Sequence, residues 1–361
     1  MVAATRVLIL GVSPFEDLPG YQLLALLKDL PGYEVVALDD SEAAQKILTH
    51  TGATVHLAPH PGRDESGFLD VVERICREER IDLILPGTDA HLFALSRAKT
   101  AGLWYADLCN TGVWLAKMGI SDKRDLQDWL SSYISVPKRW PIAKAADVDK
   151  ADLAYPIMVK GARKGGVKCE TKEEVIAALA ATLKNPANLG SGGGAYLEEH
   201  VEGEEHCFLF VRGHGATLTG IGIRKLATTT TGTTLAAMID YKLPEDARLN
   251  EMADQLHPGM AIEVEWRSEN GNAIAFEANV RFPSWVGALG VSGQALLKFG
   301  VRSALGQDAM PVDLSLPKCD ALIYRLPQSG FLAPHEAFGS GQRRRQTLLW
   351  NGSAPHQFLI K

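Results

Sequence analysis

Between residues 6 and 86, short unbroken apolar runs take turns with helix-like apolar stripes. Arg6-Val7-Leu8-Ile9-Leu10-Gly11 is a continuous run closed by glycine, the pattern of a strand buried on both faces. Tyr21 to Leu30 follows as a helix whose apolar face is Leu23, Leu24, Leu26 and Leu27. Tyr33 to Asp39 and Thr54 to Leu57 read as further strands, Phe68 to Glu79 as an amphipathic helix and Ile81 to Pro86 as a fourth strand. This alternation predicts a parallel sheet with helices on both faces. After Gly11 comes Val12-Ser13-Pro14-Phe15, so the glycine fingerprint of a dinucleotide site is missing, although Asp39 ends the second strand where such folds hold a ribose. The region is expected to supply one wall of a site.

From about Lys117 the pattern changes. Ser121-Asp122-Lys123 opens a helix to about Ser131, with Ser121 or Asp122 as its N-cap. Pro137 and Pro141 bracket an extended stretch, and Tyr155-Pro156-Ile157-Met158-Val159-Lys160-Gly161 is a strand ending in lysine. Ala162 to Lys168 reads as a short loop carrying Gly165 and Gly166, Thr171 to Leu183 as a helix, and Gly190 to Gly194 as a flexible stretch. Strands are expected at Cys207 to Val211 and Leu218 to Arg224, followed by a threonine-rich loop from Thr228 to Thr234 around Gly232. Beyond Pro311, Ala321 to Leu326, Gln346 to Trp350 and Gln357 to Ile360 predict a small accessory β element. There is no internal repeat and no heptad pattern.

The chemistry concentrates in one predicted hairpin. Val264 and Trp266 flank Glu265, Asn270-Gly271 supplies a turn, and Ile274 and Phe276 precede Glu277-Ala278-Asn279-Val280-Arg281. Strand side chains alternate faces, so Glu277, Asn279 and Arg281 share one face, and pairing can bring Glu265 beside Glu277. Two carboxylates, an amide oxygen and a nearby cation suit hard divalent metals bridging a polyphosphate. A solvated hairpin face is the plainer reading of the same residues.

Composition narrows the class. The chain has 361 residues, 46% of them hydrophobic, and a formal net charge of −6. That length favours two or three domains, and the acidic balance argues against a nucleic-acid partner. Arg343-Arg344-Arg345 is the one basic cluster and reads as a solvated edge. Cys76, Cys109, Cys169, Cys207 and Cys319 are scattered, which argues against a disulfide framework or structural zinc and fits a reducing cytoplasm. No apolar run is long enough for a membrane span.

In their order these pieces resemble the ATP-grasp superfamily, which includes biotin carboxylase, the carbamoyl-phosphate synthetase large chain and amino-acid ligases. The resemblance covers roughly residues 5 to 305. It implies an α/β protein: a Rossmann-like pre-ATP-grasp domain (1–115), then a two-lobed α+β ATP-grasp fold with a small lobe (116–196) and a central lobe carrying the metal site (197–305). A C-terminal accessory β segment (306–361) completes the chain. Lys123 and Lys160 resemble the family's two phosphate-contacting basic residues, and Gly165 and Gly166 its glycine loop, though this one is shorter and less glycine-rich. Leu197-Glu198-Glu199-His200-Val201 resembles the hinge between lobes, where the Glu199 and Val201 backbones would read adenine and Glu205 the ribose; the roles of Glu198 and Glu199 are left open.

Glu265, Glu277 and Asn279 match the family's metal ligands, with Glu263 in reserve, and Arg281 matches an arginine beside the acyl-phosphate. Arg224 and Lys225 are candidates for contacting the γ-phosphate or the acid, with surface basicity as the plain alternative. Asp89, Thr88 and Ser284 are candidate substrate contacts. The implied activity is an ATP- and magnesium-dependent carboxylate–amine ligase, with manganese as an alternative metal, acting on small molecules and compatible with a homodimer. Two alternatives stand beside it: an ATP-grasp enzyme making an acyl-phosphate or thioester, and a nucleotide-binding regulatory protein without turnover.

Overall fold

A computed structural model describes residues 4–14, 18–142, 147–148, 151–162, 165–185, 188, 194–214, 218–229, 232–240, 243–244, 247–269, 272–307, 322–324, 348–350 and 358–360. Outside them lie Phe15, Arg163-Lys164, Gly190 to Gly193, Thr230-Thr231, the Asn270-Gly271 turn, Cys319 and Arg343-Arg344-Arg345.

The first apolar runs form a parallel sheet of β1 (Thr5–Leu10), β2 (Tyr33–Asp39), β3 (Thr54–Leu57) and β4 (Leu83–Pro86), in the order β3-β2-β1-β4. The connecting helices are α1 (Pro19–Leu27), α2 (Glu42–His50) and α3 (Glu65–Glu78). The sequence pattern did not single out α2, where Ser41 caps the helix by accepting from the Ala44 N–H at 3.2 Å. α3 begins three residues before the expected Phe68 because Asp64 caps it, accepting from the Gly67 N–H at 2.9 Å. α4 (Asp89–Thr100) and α5 (Asn110–Met118) follow. Nearly every side of α4 is buried, so it has no polar stripe for a periodicity argument to find.

α6 (Lys123–Leu130) leads into a second, antiparallel sheet of β5 (Arg139–Pro141), β8 (Ala195–Glu199), β6 (Ile157–Gly161) and β7 (Gly166–Cys169), in that spatial order. α7 (Lys172–Lys184) packs on β6, and Ile157, Val159, Cys169, Val175, Leu179 and Leu197 make a separate core. Here the expected loop is corrected. Gly166-Val167-Lys168 pairs back onto β6 as a strand, with Gly166 opposite Lys160. Gly165 stands at φ +88°, in the left-handed region glycine tolerates.

The third sheet has the order β13-β12-β9-β10-β11-β14, from β9 (Glu205–Arg212), β10 (Leu218–Thr228), β11 (Thr234–Ile239), β12 (Ala261–Glu269), β13 (Asn272–Asn279) and β14 (Leu322–Tyr324). α8 (Leu249–Asp254) and α9 (Val291–Ala304) pack against β9. β10 runs four residues past Arg224, and β11 takes up the end of the expected threonine loop. β14 pairs with β11 in this sheet instead of joining an accessory element. One apolar core joins this sheet to the parallel sheet through Phe208, Phe210, Val264 and Trp266, and a second does so on the other face through Leu209, Ile221 and Ile223. Residues 1–326 form one compact unit and 327–361 another, in which β15 (Leu348–Trp350) and β16 (Phe358–Ile360) make an antiparallel hairpin. No described helix is long and apolar enough to cross a membrane.

Candidate active site

The acidic hairpin forms as its alternation requires: Glu265 stands opposite Glu277 and Glu263 opposite Asn279. One feature was not legible. Trp266 pairs with Ala275, leaving Phe276 as an extra residue in β13. Such a bulge leaves its residue out of the ladder and re-aims the strand beyond it. The Phe276 carbonyl accepts instead from Lys160 Nζ at 2.6 Å, tying the small sheet to the hairpin.

Around the two glutamates every described cation is paired. Lys123 Nζ contacts Glu277 Oε1 and lies 3.1 Å from both Asn279 Oδ1 and Asp89 Oδ2. Lys225 Nζ sits between Glu205 at 2.5 Å and Glu265 at 2.6 Å, and Arg267 reaches Glu205 at 2.9 Å. Arg281 spans Asp89 and Asn279, each at 3.2 Å. Burial works to raise Glu277, yet Lys123 and Lys160 pull it down to about 2. Burial pushes Glu265 up to about 8; Lys225 opposes the rise, and Glu263 and Glu277 add to it. One buried ammonium serving two carboxylates leaves Glu265 the under-compensated member. Burial works to lower Lys123 and Lys225, but Asp89 and Glu277 carry Lys123, and Cys207, Glu265 and Glu205 carry Lys225, above the ordinary lysine range.

Local sequence explains these placements. Asp122 is the N-cap of α6, accepting from the Arg124 N–H at 2.6 Å, and this fixes Lys123 in the first turn facing the hairpin. Lys225 continues the row Ile221, Ile223 on β10, the face that meets Cys207 and Glu265. Arg224 therefore points the other way, to Glu204 at 3.1 Å, and does not line the cleft. That expectation is corrected.

Glu198 and Glu199, left open by sequence, are distinguished by strand alternation. Glu198 is fully buried with Oε1 2.5 Å from Lys160 Nζ, and its Oε2 has no partner. Glu199 is exposed, and its N–H donates to the Lys138 carbonyl at 2.9 Å, so that donor is not free to read an adenine edge. The Val201 carbonyl accepts from Arg267 at 2.6 Å. Glu205 is held in ion pairs at the start of β9.

A cleft of about 960 Å³ runs from Gly165, Gly166 and Val201 past the hairpin to Thr88, Asp89 and Ser284 at the parallel sheet. At that far end Thr88 caps α4, and its Oγ1 lies 2.7 Å from His91 Nδ1. Burial, with His60 nearby, holds the His91 imidazole down to about 3, so it is neutral at any working pH.

Solved structures share the overall fold. N5-carboxyaminoimidazole synthetase from Staphylococcus aureus superposes with a TM-score of 0.59 at 15% identity, covering 86% of this chain and 79% of that one. L-amino acid ligase from Bacillus licheniformis gives 0.59 at 17% identity, covering 84% and 75%. N5-carboxyaminoimidazole synthase from Aspergillus clavatus, in complex with ADP and its aminoimidazole ribonucleotide, gives 0.62 at 14%, covering 87% and 80%. The chain shares the overall fold of these synthetases and of this ligase. No protein-family model and no curated protein matches its sequence.

Within the cleft, Glu265, Glu277 and Asn279 Oδ1 offer the hard oxygen donors magnesium prefers, and ammonium groups already sit against all three. The set fits such an ion. Glu263, the reserve ligand, is placed differently. Its Oε1 accepts from Trp285 Nε1 at 2.5 Å and its Oε2 from Asn279 Nδ2 at 3.1 Å. Glu263 thus orients the Asn279 amide so that Oδ1 faces Lys123 and Arg281. Cys207 Sγ and oxygens of Glu263 and Glu265 lie within 4.8 Å of one another, but burial pushes the thiol well above its ordinary range and Glu263 is already engaged. Sequence reasoning missed Arg267 and Trp285. For Arg267 a signal existed, since it follows Glu263 and Glu265 at strand period.

Proposed function

We propose that the protein is an ATP-dependent ligase that joins a carboxylate to an amine through an acyl-phosphate, releasing ADP and phosphate. The observation that carries this reading is the pairing of Glu265 with Glu277 beneath Lys123, Lys160, Lys225 and Arg281 in one cleft. A neutral or solvated surface has no use for so many buried, opposed charges, because each costs desolvation.

In the nucleotide-free protein the lysines neutralise the carboxylates. Triphosphate oxygens compete for the Lys123, Lys160 and Lys225 ammonium groups, while Glu265, Glu277 and Asn279 would hold magnesium. The ion would neutralise charge on the transferring phosphoryl group. Glu198 Oε2, buried and unpartnered, suits an exocyclic amino group of the base. Arg281, set between Asp89 and Asn279, orients the attacking carboxylate and stabilises the acyl-phosphate. The carboxylate oxygen bonds to the γ-phosphorus as the bond to ADP breaks. The amine nitrogen then bonds to the acyl carbon, phosphate departs, and the amine proton leaves to solvent.

Glu277→Ala tests the reading. Amine-dependent ADP release should fall by about three orders of magnitude or more, with cooperative unfolding retained. Undiminished release would remove the metal-site assignment.

A further inference from the structure

The far end of the cleft lies at the carboxyl ends of the parallel strands. With the order β3-β2-β1-β4, the chain runs outward from β1 through β2 to β3 and then returns to the other side of β1. The gap between β1 and β4 is thus the switch point at which open α/β sheets receive ligands. Gly11 follows β1 there, with Thr88 and His91 beyond β4 and His60 and Arg63 in the β3–α3 turn.

Charge distinguishes this end from the hairpin end. Seven of the described lysine and arginine side chains line the cleft, and six have a carboxylate partner. Among the described residues, Arg63 is the seventh, with no ion pair or hydrogen bond to its side chain. Two imidazoles stand with it. His60 Nδ1 accepts from the Gly62 N–H at 3.0 Å, which places its proton on Nε2. The Thr88 hydroxyl oxygen lies 2.7 Å from His91 Nδ1. The two rings are 6.1 Å apart, and a Cβ at Gly11 would press on the His91 ring, so the imidazole is held in place.

We propose that this end is the acceptor subsite, where Arg63 binds an anionic group, carboxylate or phosphate, carried by the amine substrate. This rests on the ligase reading, which supplies the reacting centre at Arg281 and Asp89. Asp89 already holds the Lys123 ammonium, so an incoming amine meets a wall that accepts one, while its anionic end reaches Arg63. Asp40 lines the same wall without an ion pair among the described residues and opposes an anion, so removing it should act in the opposite direction.

The test is calorimetry on the full chain loaded with magnesium and ADP. The probes are the twenty standard amino acids against their carboxamides, and 2-aminoethyl phosphate against ethanolamine. At least one anionic amine should bind about ten-fold more tightly than its neutral counterpart. Arg63→Gln should erase that preference with ADP affinity unchanged, Arg63→Lys should restore part of it, and Asp40→Asn should strengthen it. Preference among the amino acids identifies a carboxylate; preference confined to 2-aminoethyl phosphate identifies a phosphate. Equal binding of charged and neutral amines, no binding of any amine, or a preference that survives Arg63→Gln would overturn the proposal. A preference without ADP release in any carboxylate mixture leaves the subsite standing and removes the ligase reading.

Discussion

On one face of β12, Ile262, Val264 and Trp266 lie in an apolar core with Phe208 and Phe210; on the other, Glu263 and Glu265 are about as deeply buried among lysine, asparagine and glutamate side chains. The first face gains free energy on leaving water, and the second loses it unless each charge finds a partner. One strand therefore has a face that holds the fold together and a face whose buried charges must be matched by partners. The lysines offset the cost incompletely, and Glu265 shows it by standing above the ordinary carboxyl range.

Trp266→Ala should break the apolar face most severely, costing about 3–5 kcal/mol, read as a lowered denaturant midpoint with the residual folded fraction still binding nucleotide. Glu263→Gln tests the other face. It weakens the grip on the Asn279 amide, and loss of such an orienting contact typically lowers metal affinity about 10–100-fold. The magnesium concentration needed for half-maximal ADP binding should rise accordingly, with little change in thermal midpoint. An unchanged requirement would mean that Glu263 serves packing alone.

A subtler effect is expected in pH dependence of the metal-free protein. Glu277, lowered from 4.5 to about 2, adds stability above pH 4.5 that is lost as pH falls through 2. Glu265, raised from 4.5 to about 8, contributes stability that is full below 4.5 and is lost as pH rises through 8. The thermal midpoint should therefore have a component that climbs to about pH 4.5 and declines toward pH 8. Glu265→Gln should flatten the decline and leave the climb. The smallest effect belongs to Arg224→Gln. Pointing at Glu204, outside the cleft, this residue should change ADP release by less than about two-fold, because an exposed ion pair contributes little.

Much of this was legible in the chain because period-2 and period-3.6 patterns report directly on burial. The parallel sheet and the Glu265–Glu277 pairing follow from such patterns; the start of α6 follows from its capping residue, which the sequence left between Ser121 and Asp122 and the structure gives as Asp122. What was hidden depends on neighbours distant in sequence. Adjacent Arg224 and Lys225 look equivalent until Ile221 and Ile223 declare which face is inward. α9 carries Gly293 and Gly300, which lower helix propensity; the fold needs them because a Cβ would strike the Val286 carbonyl at one and press on Phe282 at the other. The subsite at Arg63 could not be foreseen, since no local pattern marks a cation by its want of a partner.

The extra residue at Phe276 has a consequence for how this hairpin can change over generations. Removing it, or inserting one more, would rotate Glu277 and Asn279 into the space filled by Ala275 and Ala278, exchanging oxygen donors for methyl groups. Length variation should thus be confined to the connection between β12 and β13, while the stretch from Phe276 to Arg281 keeps its spacing.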